Sequence, residues 1–206
     1  MYKVNEIFFT LQGEGAHSGI PAVFVRFSGC NLRCPWCDTD FTNYTPMTAE
    51  QIVKEVRELY DMPNERHKMC VLTGGEPSLQ VDKPLIDALH DAGFYICIET
   101  NGTRPLPQGI DWITCSPKEG TKIALKQVNE VKVVFTSTYD PQVWREQLKA
   151  EHWLLQPLRY TGEWLMDNVD AWENDRNDNL DDTVRYILTH PFWRLSIQLH
   201  KIVGLR

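Results

Sequence analysis

Along this chain, short runs of apolar and β-branched residues alternate with stretches of helical period, the sequence sign of parallel βαβ units. The runs predict strands over 22–27, 69–73, 95–99, 112–115, 131–135, 153–155 and 195–199. Between them, Thr48 followed by Gln51 makes a capping box, after which Ile52, Val53, Val56, Leu59 and Tyr60 share one apolar face. Pro84 opens a second helix that turns Leu85, Ile86 and Leu89 inward, and Gly93 closes it. Asp140 and Pro141 open a third in the same way. The stretch 167–182 is rich in acids and asparagines with few apolar residues, which predicts a solvated loop or a loosely packed helix. A complete βα barrel of eight units takes about 250 residues. With 206 residues and fewer units, the pattern predicts an α/β fold of the incomplete, open βα-barrel type.

Composition narrows the function classes. At 42% hydrophobic residues, the chain can bury one substantial core and is short for two, so 1–206 is read as a single domain. A formal charge of -7 argues against nucleic acid as a partner, because counterion release needs a basic face. A small anion can still find a local basic pocket. No apolar stretch has the length of a signal-peptide core or of a membrane span, so the expected location is the cytoplasm, with no membrane partner.

In that reducing compartment the six cysteines are thiols or metal ligands before they are disulfides. Cys70, Cys97 and Cys115 lie in predicted strands, where a free cysteine packs as a small hydrophobe. Cys30, Cys34 and Cys37 instead crowd one loop directly after the strand AVFVRFSG. Three neighbouring thiolates on a cubane of four irons leave one iron open to a cofactor. Structural zinc is the alternative, since Cys34-x2-Cys37 is also a zinc half-site, but the usual second pair of ligands is missing from the sequence.

The Cys-x3-Cys-x-aromatic-Cys loop, with Trp36 as its aromatic residue, resembles the signature of the radical S-adenosylmethionine (SAM) superfamily. Gly74-Gly75-Glu76-Pro77, after a predicted strand, is similar to that superfamily's cofactor-amino motif; by itself it would equally be a strand-to-helix turn. The resemblance implies a 4Fe-4S cluster on Cys30, Cys34 and Cys37, and SAM as the source of a 5'-deoxyadenosyl radical.

Leu11-Gln12-Gly13-Glu14-Gly15, Arg26, Cys37-Asp38-Thr39, Glu99-Thr100-Asn101-Gly102, Ser116-Pro117-Lys118, Gln156-Pro157 and His200-Lys201 extend the likeness over nearly the whole chain. Together they resemble the 7-carboxy-7-deazaguanine synthase family. That family's reaction rearranges 6-carboxy-5,6,7,8-tetrahydropterin to 7-carboxy-7-deazaguanine with loss of ammonia, a step of queuosine biosynthesis, so a radical carbon-nitrogen lyase is implied. Its magnesium ligand matches Thr39, and a hydroxyl suits that hard cation.

By the same resemblance, Trp36, Cys37, Asp38, Gly75, Ser116, Pro117, Lys118, Gln156, Pro157 and Leu158 match cofactor contacts. Leu11, Gln12, Gly13, Arg26, Thr73 and Arg206 match substrate contacts. Arginine suits a carboxylate through paired, charge-assisted hydrogen bonds, although Arg26 would also serve as a strand residue tied to a surface acid. Glu14, Glu99, Asn101 and His200 are further candidates for the pterin edge, each also able to pair within the fold. No catalytic side chain is expected beyond the cluster and cofactor. A homodimer and a flavodoxin or ferredoxin as electron donor are implied, and 160–182 carries no readable motif. The nearest rival is another radical enzyme, such as a glycyl-radical activase, and the early glycine-flanked segment with Arg26 favours a small carboxylated heterocycle over a protein backbone.

Overall fold

The computed structural model describes residues 1–37, 39–60, 68–136, 138–158 and 178–205. Each of the seven predicted runs contributes a strand: β2 (Pro21–Phe27), β4 (Lys68–Gly74), β5 (Phe94–Thr100), β6 (Trp112–Cys115), β7 (Glu130–Phe135), β8 (His152–Pro157) and β9 (Arg194–Leu195). All seven run parallel in that order. Two strands that the pattern did not predict, β1 (Tyr2–Leu11) and β3 (Thr45–Met47), extend the sheet antiparallel beyond β2. The described strands thus form one sheet in the order β3-β1-β2-β4-β5-β6-β7-β8-β9, open at both ends, which is an incomplete βα barrel.

Because successive strand residues point to opposite faces, the sheet sorts its side chains into two sets. Val23, Val25, Phe27, Cys70, Leu72, Ile96 and Ile98 face outward onto α1 (Ala49–Leu59) and α2 (Lys83–Asp91), where Ile52, Val56, Leu85, Ile86 and Leu89 complete a buried core. Each fully buried aliphatic side chain contributes about 1.5–3 kcal/mol. Val131, Val133, Trp153 and Leu155 build a second core with Trp144 and Trp193. On the concave face, Phe8, Ala22, Phe24, Met69, Val71 and Cys97 fill the barrel's interior. Two residues farther along their strands, Arg26, Thr73 and Glu99 therefore emerge at the carboxyl ends on that same face, where βα-barrel sites are built.

The helix starts follow their capping chemistry. Thr48 accepts from the Gln51 N–H at 3.3 Å while the Gln51 side chain accepts from the Thr48 N–H at 2.8 Å. Asp82 caps α2, and Gly93, at φ 84°, takes the left-handed turn that ends it.

The missed β1 has a physical reason. Its register shifts between Val4 and Glu6, so Tyr2 and Val4 share the outward core with Ile7 and Phe9 while Phe8 points inward. A β-bulge of this kind breaks the alternation by which a strand is read. The helix expected from Asp140 is a single 3-10 turn, Pro141–Trp144, since the chain returns to the sheet at the Lys149–Gln127 bridge and leaves room for little more. The strand expected over 195–199 stops at Leu195; Leu199 instead donates to the Gly13 carbonyl and begins the short helix α4 (Leu199–Ile202), after α3 (Asp178–Thr189). Of the acidic stretch, 178–182 is helical and the rest lies outside the described residues, as does most of 160–182.

Candidate active site

The loop after β2 carries Cys30, Cys34 and Cys37 into a cavity of about 1040 Å³, together with Trp36, Gly75, Asn101, Ser116 and Lys118. Cys30 and Cys34 are half-buried and Cys37 is exposed, whereas Cys70, Cys97 and Cys115 are buried in strands. Burial pushes the Cys30 and Cys34 thiols up, opposed at Cys30 by the Leu32 N–H and at Cys34 by the Lys118 ammonium. It pushes the thiols of Cys70 and Cys115 to about 12, which leaves them inert.

Lys118 is half-buried, and desolvation lowers its pKa. Its ammonium donates to the Ser116 carbonyl and hydroxyl at 2.6 and 2.7 Å and lies 5.4 Å from the Trp36 ring centre. Among the described residues, no three His, Cys, Asp or Glu side chains converge on one ion-sized point. A tetrahedral zinc would need that, while a cubane spreads its thiolates over separate irons. Partly accessible thiols on one loop beside a half-buried cation fit an anionic iron-sulfur cluster.

The glycines at the end of β4 line the larger cavity and also pack tightly against neighbouring backbone. A Cβ on Gly74, at φ 133°, would strike the Phe27 backbone, and one on Gly75 would strike the Gly29 carbonyl. Stripped of side chains, the segment packs against the start of the cysteine loop. The Gly75 N–H donates to Phe27 at 3.0 Å and the Glu76 N–H to Gly29 at 2.8 Å. Glu76, 1% exposed, then accepts from the Thr100 hydroxyl at 2.6 Å and the Asn101 N–H at 2.7 Å. Asn101 in turn donates to the Asn31 side chain at 3.0 Å, so the ends of β4 and β5 brace the loop that carries the cysteines.

A second cavity, of about 580 Å³, lies beside the first and shares Thr39, Thr73 and Glu99 with it. On one wall Arg26 donates to Glu6 at 2.8 Å and lies 5.5 Å from the Phe8 ring centre. On the other wall stand Glu14 and Glu99, both held by Lys132 of β7, at 2.6 and 2.8 Å. Burial works against the Glu14 charge, but Lys132 and Gln198 overcome it and draw the carboxyl down to about 2. Burial moves Glu99 the other way, upward, with Glu14 and Glu130 reinforcing it against Lys132. Two carboxylates share one ammonium, and Glu14 holds the firmer charge.

The remaining wall comes from both ends of the sequence. Gly13 leaves room for the His200 ring, whose atoms a Cβ there would overlap. The Leu199 N–H donates to Gly13 at 2.8 Å, and the Gln198 side chain to Glu14 at 2.8 Å.

A model of the radical SAM superfamily matches residues 24–148, which begin within β2 and take in the cysteine loop and the glycine-rich turn. The chain is 48% identical to the 7-carboxy-7-deazaguanine synthase of Bacteroides thetaiotaomicron, over the whole of both chains. It is 41% identical to that of Bradyrhizobium diazoefficiens, covering 100% of this chain and 99% of the relative. This chain belongs to the 7-carboxy-7-deazaguanine synthase family of radical SAM enzymes. The structure of QueE from Escherichia coli superimposes with a TM-score of 0.72 at 27% identity, covering 97% of this chain and 94% of that one. Radical SAM membership implies a 4Fe-4S cluster and SAM.

Among the sequence-selected residues, Trp36, Cys37, Gly75, Ser116 and Lys118 line the larger cavity, and Leu11, Gln12, Gly13, Arg26, Thr73, Glu14 and His200 line the smaller. Asn101 lies with the cysteines rather than in the smaller cavity. Pro117 is buried behind its neighbours; Gln156, Pro157 and Leu158 stand outside both cavities, with Gln156 donating to Glu14 at 3.2 Å and the Leu158 N–H to Asn179 at 2.6 Å. Asp38 and Arg206 lie outside the described residues. Sequence reasoning passed over Glu6, Gln198 and Lys132. The alternation of EVKVVF around a mid-strand lysine was the one available signal for Lys132, because it points a charge at the barrel's interior.

Proposed function

We propose that this chain converts 6-carboxy-5,6,7,8-tetrahydropterin to 7-carboxy-7-deazaguanine with loss of ammonia; the relatives' name supports the product, and the family resemblance of the sequence supplies the substrate. The observation that carries the reading is the junction of the two cavities at Thr39, Thr73 and Glu99, which sets a small-molecule pocket directly against the cysteine loop. A volume of about 580 Å³ suits a bicyclic heterocycle. Arg26 suits its carboxylate, and the opposite wall of Glu14 and Glu99 suits ring N–H donors.

Cluster and SAM, when bound, supply the radical that starts the rearrangement. The chain's own residues bind and orient: Cys30, Cys34 and Cys37 would hold the cluster, and Trp36, Gly75, Ser116 and Lys118 would hold the cofactor beside it. Thr39, at the junction, is the proposed magnesium ligand next to the substrate carboxylate. Asp38, Pro117, Gln156, Pro157 and Leu158 as cofactor contacts, and Arg206 as a substrate contact, rest on family resemblance, as do a homodimer and a flavodoxin or ferredoxin donor. One sheet joining all the described strands supports reading 1–206 as a single domain. Among the described residues no helix is long and apolar enough to cross a membrane.

The test is anaerobic turnover with reconstituted cluster, SAM, magnesium, reductant and carboxytetrahydropterin. Product of the mass of 7-carboxy-7-deazaguanine is expected, and cofactor cleavage without that product would refute the substrate. Thr39→Ala should raise the magnesium needed for half-maximal rate while iron content stays unchanged.

A further inference from the structure

We propose that Lys132 is a positioning residue for this reaction: by holding Glu14 and Glu99 side by side, it presents them as a paired acceptor edge to the N–H donors of the bound heterocycle. The inference rests on the substrate pocket proposed above and adds the device that sets its specificity.

Lys132 projects from β7 onto the barrel's concave face with its side chain only 6% exposed, and it does not itself line the cavity. It acts through its partners, whose side chains are 17% and 18% exposed. Each carboxylate is gripped from two sides. Lys132 takes one oxygen of each, at 2.6 and 2.8 Å. The other Glu14 oxygen accepts from Gln156 at 3.2 Å and Gln198 at 2.8 Å, and the other Glu99 oxygen accepts from Gln12 at 3.1 Å.

An ionised carboxylate offers about four lone-pair sites. These protein contacts leave capacity on both groups, and both line the cavity. Glu130, buried behind them and bonded to the Ala16 N–H at 2.6 Å, adds a third acid around the one ammonium. The pocket's end is therefore rich in acceptors and negative charge, and a ligand edge bearing N–H groups supplies what it lacks. Without Lys132, Glu14 and Glu99 would repel each other, and either rotation or uptake of a proton would destroy the paired edge.

The experiment uses the anaerobically reconstituted enzyme and its Lys132→Met, Lys132→Arg and Lys132→Met/Glu99→Gln variants, with iron content and thermal melts as controls. Two competitive probes are compared: pterin-6-carboxylate, which carries the 2-amino donors, and lumazine-6-carboxylate, whose 2-oxo group replaces them. The parent should prefer the pterin by at least about tenfold. Lys132→Met should lose that preference and raise the KM for carboxytetrahydropterin about ten- to a hundredfold, with a smaller effect on kcat. Lys132→Arg should recover part of both. An unchanged preference in either folded, cluster-loaded Met variant would overturn the proposal. So would failure of both Met variants to fold while the Arg variant matches the parent in every respect, since that would assign Lys132 to stability alone. A parent enzyme that neither binds the pterin probe nor turns over would instead refute the underlying substrate reading.

Discussion

The larger cavity takes its three cysteines from one loop and its brace from the four-residue turn after β4, with backbone N–H groups making several of the bonds. The smaller cavity gathers Arg26 from β2, Glu99 from β5 and Gln198 from the C-terminal segment, with Lys132 of β7 behind them, and side-chain hydrogen bonds hold its charged groups. Backbone bonds and the glycine contacts define the first through chain path. Charge balance defines the second. Substitutions in the cofactor region should therefore act in an all-or-none manner through loading and folding, and substitutions in the substrate region should act by degrees on affinity.

The largest expected effect tests the cysteine loop directly. Replacing Cys30, Cys34 and Cys37 by alanine together should abolish the cluster's visible absorbance and all SAM cleavage while the far-ultraviolet spectrum stays that of the parent, because these thiols lie outside the buried cores. Full iron and sulfide content in the triple variant would remove the assignment.

Arg26→Ala comes next. A charge-assisted hydrogen bond contributes about 1.5–3 kcal/mol, so substrate affinity should fall roughly ten- to a hundredfold. Its pair with Glu6 is partly solvated, with side chains 22% and 24% exposed, so the loss of stability should stay below about 1 kcal/mol. Lysine should restore only part of the affinity, because it lacks the planar fork. Anaerobic binding titrations paired with melts separate the two effects; a large melting shift with unchanged affinity would make Arg26 a strand anchor instead.

Glu76→Gln probes the brace. The substitution turns an amide donor toward the Thr100 hydroxyl or the Asn101 N–H, at a cost of about 1.5–3 kcal/mol. Because Asn101 holds Asn31, iron retention during gel filtration should also fall. Retention equal to the parent's would show that the cysteine loop does not depend on this relay.

The smallest effect lies in the acid dependence of stability. Glu14 is held near 2 in the folded chain against an ordinary 4.5, so it contributes stability above about pH 4.5 that is lost as the pH falls toward 2. Glu99, shifted upward by burial, has the opposite sign and tempers the slope. Urea midpoints measured from about pH 5.5 to 3 should decline less steeply in Glu14→Gln than in the parent; equal slopes would mean that Glu14 is not clamped by Lys132 as an ion.

Local sequence chemistry by itself determined the seven parallel strands, the two capped helices and the separation of three loop cysteines from three core cysteines, because each depends on residues close together in the chain, and the family was legible as a series of such short motifs. Cap bonds span three residues, strand faces repeat every two, and Cys30, Cys34 and Cys37 occupy one loop. Tertiary structure alone decided the rest. It revealed β1, whose bulge breaks the alternation, and it showed that Gly74 and Gly75 make room for the backbone of the neighbouring Phe27 and Gly29. It also brought Lys132 between Glu14 and Glu99, 118 and 33 positions away in the chain. No local period encodes such a meeting: strand order across the sheet chooses the partners, and burial gives their charges consequence.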